Sequence, residues 1–77
     1  MGWLYGGRRD QVLPLVTRGV ELAPERVSLR IELAVALRAL GREDEAREQL
    51  RAALELPART AADRAEQERA RRLLEGR

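Results

Sequence analysis

The spacing of apolar residues predicts that the middle of the chain forms a helix hairpin. Leucines recur three or four positions apart after Val27, which is the stripe of a single helix face, at Leu29, Leu33, Leu37 and Leu40. Gly41 follows at once and ends this helix, because glycine takes a left-handed backbone conformation without steric cost. A second helix should begin at the acidic run 43–45, where negative charge complements the positive end of a helix.

The second helix carries its own apolar stripe, which consists of Ala46, Leu50, Ala53 and Leu54. The small residues Ala46 and Ala53 allow two antiparallel helices to approach closely, as the short connection at 41–42 requires. We expect Leu37, Ala46 and Leu50 to pack against one another in the core of this hairpin.

Another helix is predicted before the hairpin, from about Asp10 to Leu22. Its apolar residues are Val12, Leu13, Val16, Val20 and Leu22. Pro14 loses a hydrogen bond to, and crowds, the carbonyl four residues back, but that carbonyl belongs to Asp10 at the predicted helix start, where a proline is tolerated. Pro24 marks the end of the helix.

A last helix is predicted after the hairpin, from about Ala61 to Glu75. Thr60 with Asp63 three residues on is the signature of a helix start. The face of this helix that packs would be mostly alanine, formed by Ala62, Ala65 and Ala70 with Leu73 and Leu74 at the end. Weak ion pairs are expected on the exposed side, Glu66 with Arg69 and Glu68 with Arg72.

The chain repeats itself at a distance of 34 positions. Self-similarity at a fixed period predicts stacked copies of one supersecondary unit. The shift pairs residues of the same type or size, among them Gly7 with Gly41, Asp10 with Asp44, Val16 with Leu50, Gly19 with Ala53, and Glu21 and Leu22 with Glu55 and Leu56.

The segment from Leu29 to Pro57 resembles a tetratricopeptide repeat, a helix hairpin with this period. The family's Leu-Gly pair, tyrosine, alanine and phenylalanine correspond in turn to Leu33 with Ala34, Leu37, Ala46 and Leu50. The sequence departs from the pattern at Arg30, which stands in place of tryptophan, and at Pro57, which comes one position early. The resemblance implies an all-α fold of antiparallel helix hairpins, as a fragment of a right-handed superhelix. A partial repeat would cover 1–26, a full repeat 27–59 and a capping helix 60–77.

The resemblance also implies a binding surface, since the first helix of each repeat in this family lines a concave groove that holds a peptide or protein partner. Here the groove would contain Ser28 and Ala62, an apolar floor of Ile31, Val35 and Ala65, and around it Arg38, Arg69 and Arg72. Such a surface suits a peptide with an apolar anchor and an acidic residue or free carboxylate. The alternative is that the apolar residues are core or subunit contacts and the arginines a solvated face.

Self-association is expected as well, because a repeat hairpin cannot bury both faces alone and about three repeats are usually needed for stability. Only a short segment stands where a full helix would cover the helix 10–22, so apolar side chains there would be partly exposed. We expect a homo-oligomer, most simply a two-fold dimer, joined through Trp3, Leu4, Val12 and Val16.

Composition narrows the possible functions. The 77 residues include 15 basic and 13 acidic ones, and neither histidine nor cysteine occurs. The usual general base, thiol nucleophile and zinc ligands are therefore missing, so we predict no enzyme, no cofactor and no metal site. No apolar run approaches the roughly 18 residues that span a bilayer, so we expect a soluble, cytoplasmic protein with no membrane partner.

The alternative function is that of a helical-repeat module that binds RNA, since helical-repeat hairpins can read RNA and arginine is abundant here. Against it, glutamates are interleaved with the arginines on the same helices. The two aromatic residues, Trp3 and Tyr5, lie together at one end, where they cannot stack bases along a groove. The sequence therefore favours a protein or peptide partner over nucleic acid.

Overall fold

The computed structural model describes residues 13–76, which are helical and contain no strand. Residues 13–22 lie in the first helix, α1, and are followed by α2 (Val27–Ala39), α3 (Glu43–Glu55) and α4 (Ala61–Gly76). The all-α prediction is confirmed, and the ends of α2 and α4 agree with the predicted ones to within one residue. The predicted start of the first helix, near Asp10, lies outside the described residues.

The turn between α2 and α3 is set by Gly41, whose φ of 80° lies in the left-handed region. The Gly41 N–H donates to the Arg38 carbonyl at 3.0 Å, and the Arg42 N–H donates to the Leu37 carbonyl at 2.9 Å. These two nested bonds satisfy carbonyls that the end of a helix would otherwise leave free. The predicted role of Gly41 as the end of the helix is confirmed.

The start of α4 has the predicted cap. The Thr60 Oγ1 accepts a hydrogen bond from the Asp63 N–H at 3.0 Å. In return the Asp63 Oδ2 accepts one from the Arg59 N–H, also at 3.0 Å. Two amides at the helix start thus find partners within four residues of the chain, which is why a local sequence signature located this boundary.

The core lies mainly in the hairpin of α2 and α3, and Leu37, Ala46 and Leu50 are all buried in it, as expected. α2 packs against three helices, because Gly19 of α1 lies against Leu29 and α2 also contacts α3 and α4. A helix packed on several sides buries more than one stripe. The buried apolar residues of the described range are Val20, Val27, Ile31, Leu33, Ala34, Leu37, Ala46, Leu50, Ala53 and Ala70.

Consecutive helices run antiparallel, so α2 and α4 run in the same direction. The N-terminal turns of α2 and α4 line one pocket together, and their C-terminal halves line another. At the C-terminal side the Arg38 Nη1 donates to the Leu73 carbonyl at 3.3 Å. A seam between two parallel helices therefore runs along one side of the molecule.

The predicted stripe of α1 is partly wrong. Val20 is buried, and Leu13 and Val16 pack against the core, but Leu22 is 73% exposed. Successive helical residues turn by about 100°, so Leu22 lies about 200° around the helix from Val20 and cannot share its face. Leu22 instead points outward with Leu15, which is also 73% exposed.

The packing face of α4 also differs from the prediction. Ala70 is buried and Leu73 and Leu74 pack against the core, but Ala62 and Ala65 are exposed. Gln67 takes the inward position one turn before Ala70. The helix is thus rotated so that a glutamine faces α3 and two of the three alanines face solvent.

Candidate functional site

A largely apolar pocket lies between the C-terminal halves of α2 and α4. Its volume is about 330 Å³, and it is lined by Ala34, Val35, Arg38, Ala39, Leu50, Arg69 and Leu73. That volume is near the lower end of the roughly 300–1,000 Å³ of small-molecule sites, so the pocket has room for one anchoring group of a larger partner. We call it the α2–α4 pocket.

A more polar pocket of about 470 Å³ lies at the other end of the same seam, where α2 and α4 begin. Ser28 and Ala62, both expected on the groove, line it. The carboxylates of Glu25, Asp63 and Glu66 share this pocket with Arg26 and Arg59. The two ends of the seam therefore differ in chemistry: charges of both signs at the start, and apolar side chains with arginines at the far end.

Of the predicted apolar floor and the arginines around it, the structure brings three residues to the α2–α4 pocket: Val35, Arg38 and Arg69. Val35 is 39% exposed, so its side chain is accessible. Arg72 is exposed on α4, three residues beyond Arg69, and does not line the pocket.

Ile31 does not belong to the exposed floor on which the groove prediction placed it. Its exposed fraction is 0%, and it is among the largest fully buried side chains of the described range. The reason is that α2 packs against α1, α3 and α4, so side chains are buried on more of its surface than the face that carries Leu33 and Leu37. Ile31 is therefore a core residue, as the alternative interpretation of the groove residues had it.

Arg38 lines the pocket but is already engaged by groups of this chain. Its Nε donates to Glu43 Oε1 at 2.9 Å, its Nη2 to Glu43 Oε2 at 2.7 Å, and its Nη1 to the Leu73 carbonyl at 3.3 Å. The paired bonds from Arg38 hold the pKa of the Glu43 carboxyl below its ordinary value. Arg38, which belongs to α2, thus connects the start of α3 to the end of α4, and these bonds give it a structural role.

The two arginines of α4 are held less tightly. Arg69 Nη1 lies 3.6 Å from Glu66 Oε1, which is an ion pair beyond hydrogen-bond distance. Arg72 makes no ion pair within residues 13–76. The predicted pair of Arg72 with Glu68 is replaced by Arg71 with Glu68, at 2.6 Å. Arg69 and Arg72 can therefore turn toward a partner at the small cost of a solvated pair.

Gln67 positions the α4 wall of the pocket and was missed by the sequence analysis. Its Nε2 donates to the carbonyl of Leu56 at 2.7 Å and to that of Ala53 at 3.1 Å, where α3 ends. The sequence signal was the polar residue one turn before Ala70 on a face otherwise expected to be apolar. A buried amide of this kind is retained only where it finds partners.

Of the predicted self-association residues, Trp3, Leu4 and Val12 lie outside the described part of the chain. Val16 packs against the core and is partly buried. Within 13–22, the large apolar side chains that are exposed are instead Leu15 and Leu22, which are seven residues apart and so lie on one face of the helix.

Among the residues that the structure describes, no group of three or more acidic side chains is arranged to hold a metal ion. No described helix combines the length and the apolar character needed to cross a membrane. Comparison with models of known protein families, with curated proteins and with solved structures finds no match.

Proposed function

We propose that this chain is a tetratricopeptide-like helical repeat module whose α2–α4 pocket binds an acidic peptide through an apolar anchor. The repeat interpretation is supported by the period: α2 begins at Val27 and α4 at Ala61, 34 positions later, and the two helices run in parallel. The hairpin of α2 and α3, closed at Gly41, would be the full repeat, and α4 the capping helix.

The observation that carries the binding proposal is the composition of the α2–α4 pocket. Val35 of α2 and Leu73 of α4 contribute apolar surface to the lining, and Arg69 of α4 lines the same pocket. The lining contains two arginines and, among the described residues, no carboxylate. Both arginines are paired with glutamates outside the lining, Arg38 with Glu43 and Arg69 with Glu66. An apolar pocket edged by a loosely paired arginine complements an apolar side chain that has a carboxylate beside it.

The structure changes which arginines we assign to the partner. Because both Glu43 oxygens and a main-chain carbonyl already hold Arg38, recruiting it would break bonds that join three helices. Arg69, paired only loosely with Glu66, and Arg72, one turn further, carry no such cost. We therefore assign carboxylate recognition to Arg69 and Arg72, and assign Arg38 to holding the pocket in shape.

The experiment uses two matched pools of short fluorescent peptides, each with a central leucine. One pool has aspartate and glutamate at the flanking positions, and the other has asparagine and glutamine. Fluorescence anisotropy should show binding of the acidic pool and not of the amide pool. Replacing Arg69→Glu and Arg72→Glu together should abolish that binding while leaving helicity intact.

A matched control comes from Arg51→Glu with Arg64→Glu, which changes the net charge equally through exposed residues outside the pocket lining. This variant should bind the acidic pool as the unmodified chain does. Equal loss in both double variants would mean that only net charge matters, and the pocket assignment would be wrong. Retention of labelled single-stranded RNA, with no peptide bound, would favour the RNA-binding alternative instead.

A further inference from the structure

α4 is attached to the rest of the fold with little apolar burial. It is a helix of 16 residues, yet Ala70 is the only apolar side chain it buries fully in the described range, and Leu73 and Leu74 are only partly buried against the core. α2, with 13 residues, buries five apolar side chains. Since apolar burial is the main source of folding stability, α4 gains less from docking than α2 gains from its place in the hairpin.

Polar bonds hold α4 at two points instead. In its first half, Gln67 donates to the carbonyls of Ala53 and Leu56. At its end, the Arg38 Nη1 donates to the Leu73 carbonyl at 3.3 Å, and the Arg47 Nη1 donates to the Leu74 carbonyl at 3.4 Å. The two arginines also bring positive charge to the negative end of the helix dipole.

We propose that α4 docks onto and leaves the hairpin of α2 and α3 as a unit, and that occupancy of the α2–α4 pocket is coupled to this docking. α4 supplies Arg69 and Leu73 to the lining, and α2 supplies Val35 on the other side. The pocket therefore exists only while α4 is docked. Local openings of this kind arise where few apolar contacts are buried, at a free energy below that of global unfolding.

The coupling has a direction that follows from linkage. A peptide that binds only the docked state shifts the population toward that state. Conversely, a change that undocks α4 raises the apparent Kd in inverse proportion to the docked fraction, even when it touches no residue of the lining. This second step rests on the proposed peptide binding, whereas the docking equilibrium itself does not.

Native-state hydrogen exchange of the full chain, without any peptide, tests the docking equilibrium. We expect the amides in the middle of α4 to exchange faster than those in the middle of α2. Arg47→Met removes the bond to Leu74 but keeps most of the apolar stem, and Arg47 is not part of the lining. It should speed exchange in α4 by roughly two- to tenfold, the effect of one lost hydrogen bond, and leave α2 unchanged.

The matched control is Arg51→Met on the same helix, where the arginine is exposed and makes no side-chain bond to α4 within the described residues. It should leave exchange in both helices unchanged. Equal exchange rates in α4 and α2, changing together in Arg47→Met, would show one cooperative unit and overturn the docking equilibrium.

The acidic peptide pool then tests the coupling. It should slow exchange in α4 more than in α2, and it should bind Arg47→Met several-fold more weakly than the unmodified chain. Unchanged affinity in an Arg47→Met chain with fast α4 exchange would overturn the coupling. If the pool does not bind the unmodified chain, the proposed function and the coupling both fail, while the exchange pattern without peptide still decides whether α4 opens separately.

Discussion

The side-chain amide of Gln67 in α4 donates a hydrogen bond to the carbonyl of Leu56, 2.7 Å away, at the residue that directly follows the end of α3. The same nitrogen donates to the Ala53 carbonyl at 3.1 Å. The last turn of a helix leaves carbonyls without intrahelical partners, and here the next helix supplies one. The bond thus fixes how α4 is rotated, and with it which α4 residues reach the pocket.

Replacing Gln67→Leu should destabilise the fold by about 1–3 kcal/mol, although leucine is the more apolar side chain. The reason is that the carbonyls of Ala53 and Leu56 would lose the donor that Gln67 supplies, and leucine cannot replace it. Chemical denaturation followed by circular dichroism measures the change. The control is Ala65→Leu, an exposed position on the same helix, which should change stability by less than about 0.5 kcal/mol. A more stable Gln67→Leu chain would show that the amide is not needed to dock α4.

Replacing Leu50→Ala should cost about 2–5 kcal/mol, because Leu50 is 1% exposed and its removal leaves a cavity between α2 and α3. For a domain of this size that is a large part of the total stability. Leu15→Ala, at an exposed leucine of α1, is the matched control and should have a small effect. A thermal melt of Leu50→Ala that coincides with that of Leu15→Ala would contradict the packing of the hairpin core.

Replacing Gly41→Ala should destabilise the hairpin by about 1–2 kcal/mol through the backbone alone. At φ 80° an alanine is strained, although no atom lies within 4 Å of the position its Cβ would take. Gly76→Ala is the control, since that position is equally open and has no positive φ. Equal melting temperatures for the two variants would mean that the turn relaxes without strain.

The ion pair of Arg38 with Glu43 should make stability depend on pH in the acid range. Because the hydrogen bonds from Arg38 lower the pKa of Glu43 in the folded state, the pair stabilises the fold above the unfolded pKa of the carboxyl. That stabilisation is lost as the pH falls through the lower, folded pKa. Melting temperatures should therefore drop on acidification below about pH 4.3, the usual glutamate value, and drop less in Glu43→Gln.

The control for this titration is Glu32→Gln, which removes an exposed carboxylate that has no ion pair among the described residues. Its acid profile should follow that of the unmodified chain. If Glu43→Gln and Glu32→Gln gave the same profile, the bonds from Arg38 would contribute nothing specific to acid stability.

The predicted homo-oligomer should show itself as a melting temperature that falls on dilution, because association stabilises the folded chain by mass action. Light scattering gives the mass at each concentration. The exposed leucines of α1 supply a new test of the interface: Leu15→Arg with Leu22→Arg should give a monomer. A monomeric mass at every concentration, with an unchanging melt, would rule out self-association.

Amino-acid sequence by itself determined where α2 ends and where α4 begins. Gly41 ended α2 and Thr60 began α4 as predicted, because the bonds that fix these points join residues no more than five positions apart. Leucine spacing likewise identified Leu33 and Leu37 as core residues. Such features depend on backbone geometry within one or two helical turns, which a local pattern encodes.

Tertiary packing decided which side of each helix became surface. Ile31 became core because α2 is covered on several sides, and Gln67 turned inward because the carbonyls of Ala53 and Leu56 lie within its reach. Arg38 became a clamp because the start of α3 and the end of α4 meet at its guanidinium. Each of these outcomes depends on groups brought together from separate helices. The periodicity of a single helix does not indicate which side chains and carbonyls the adjacent helices will place against it.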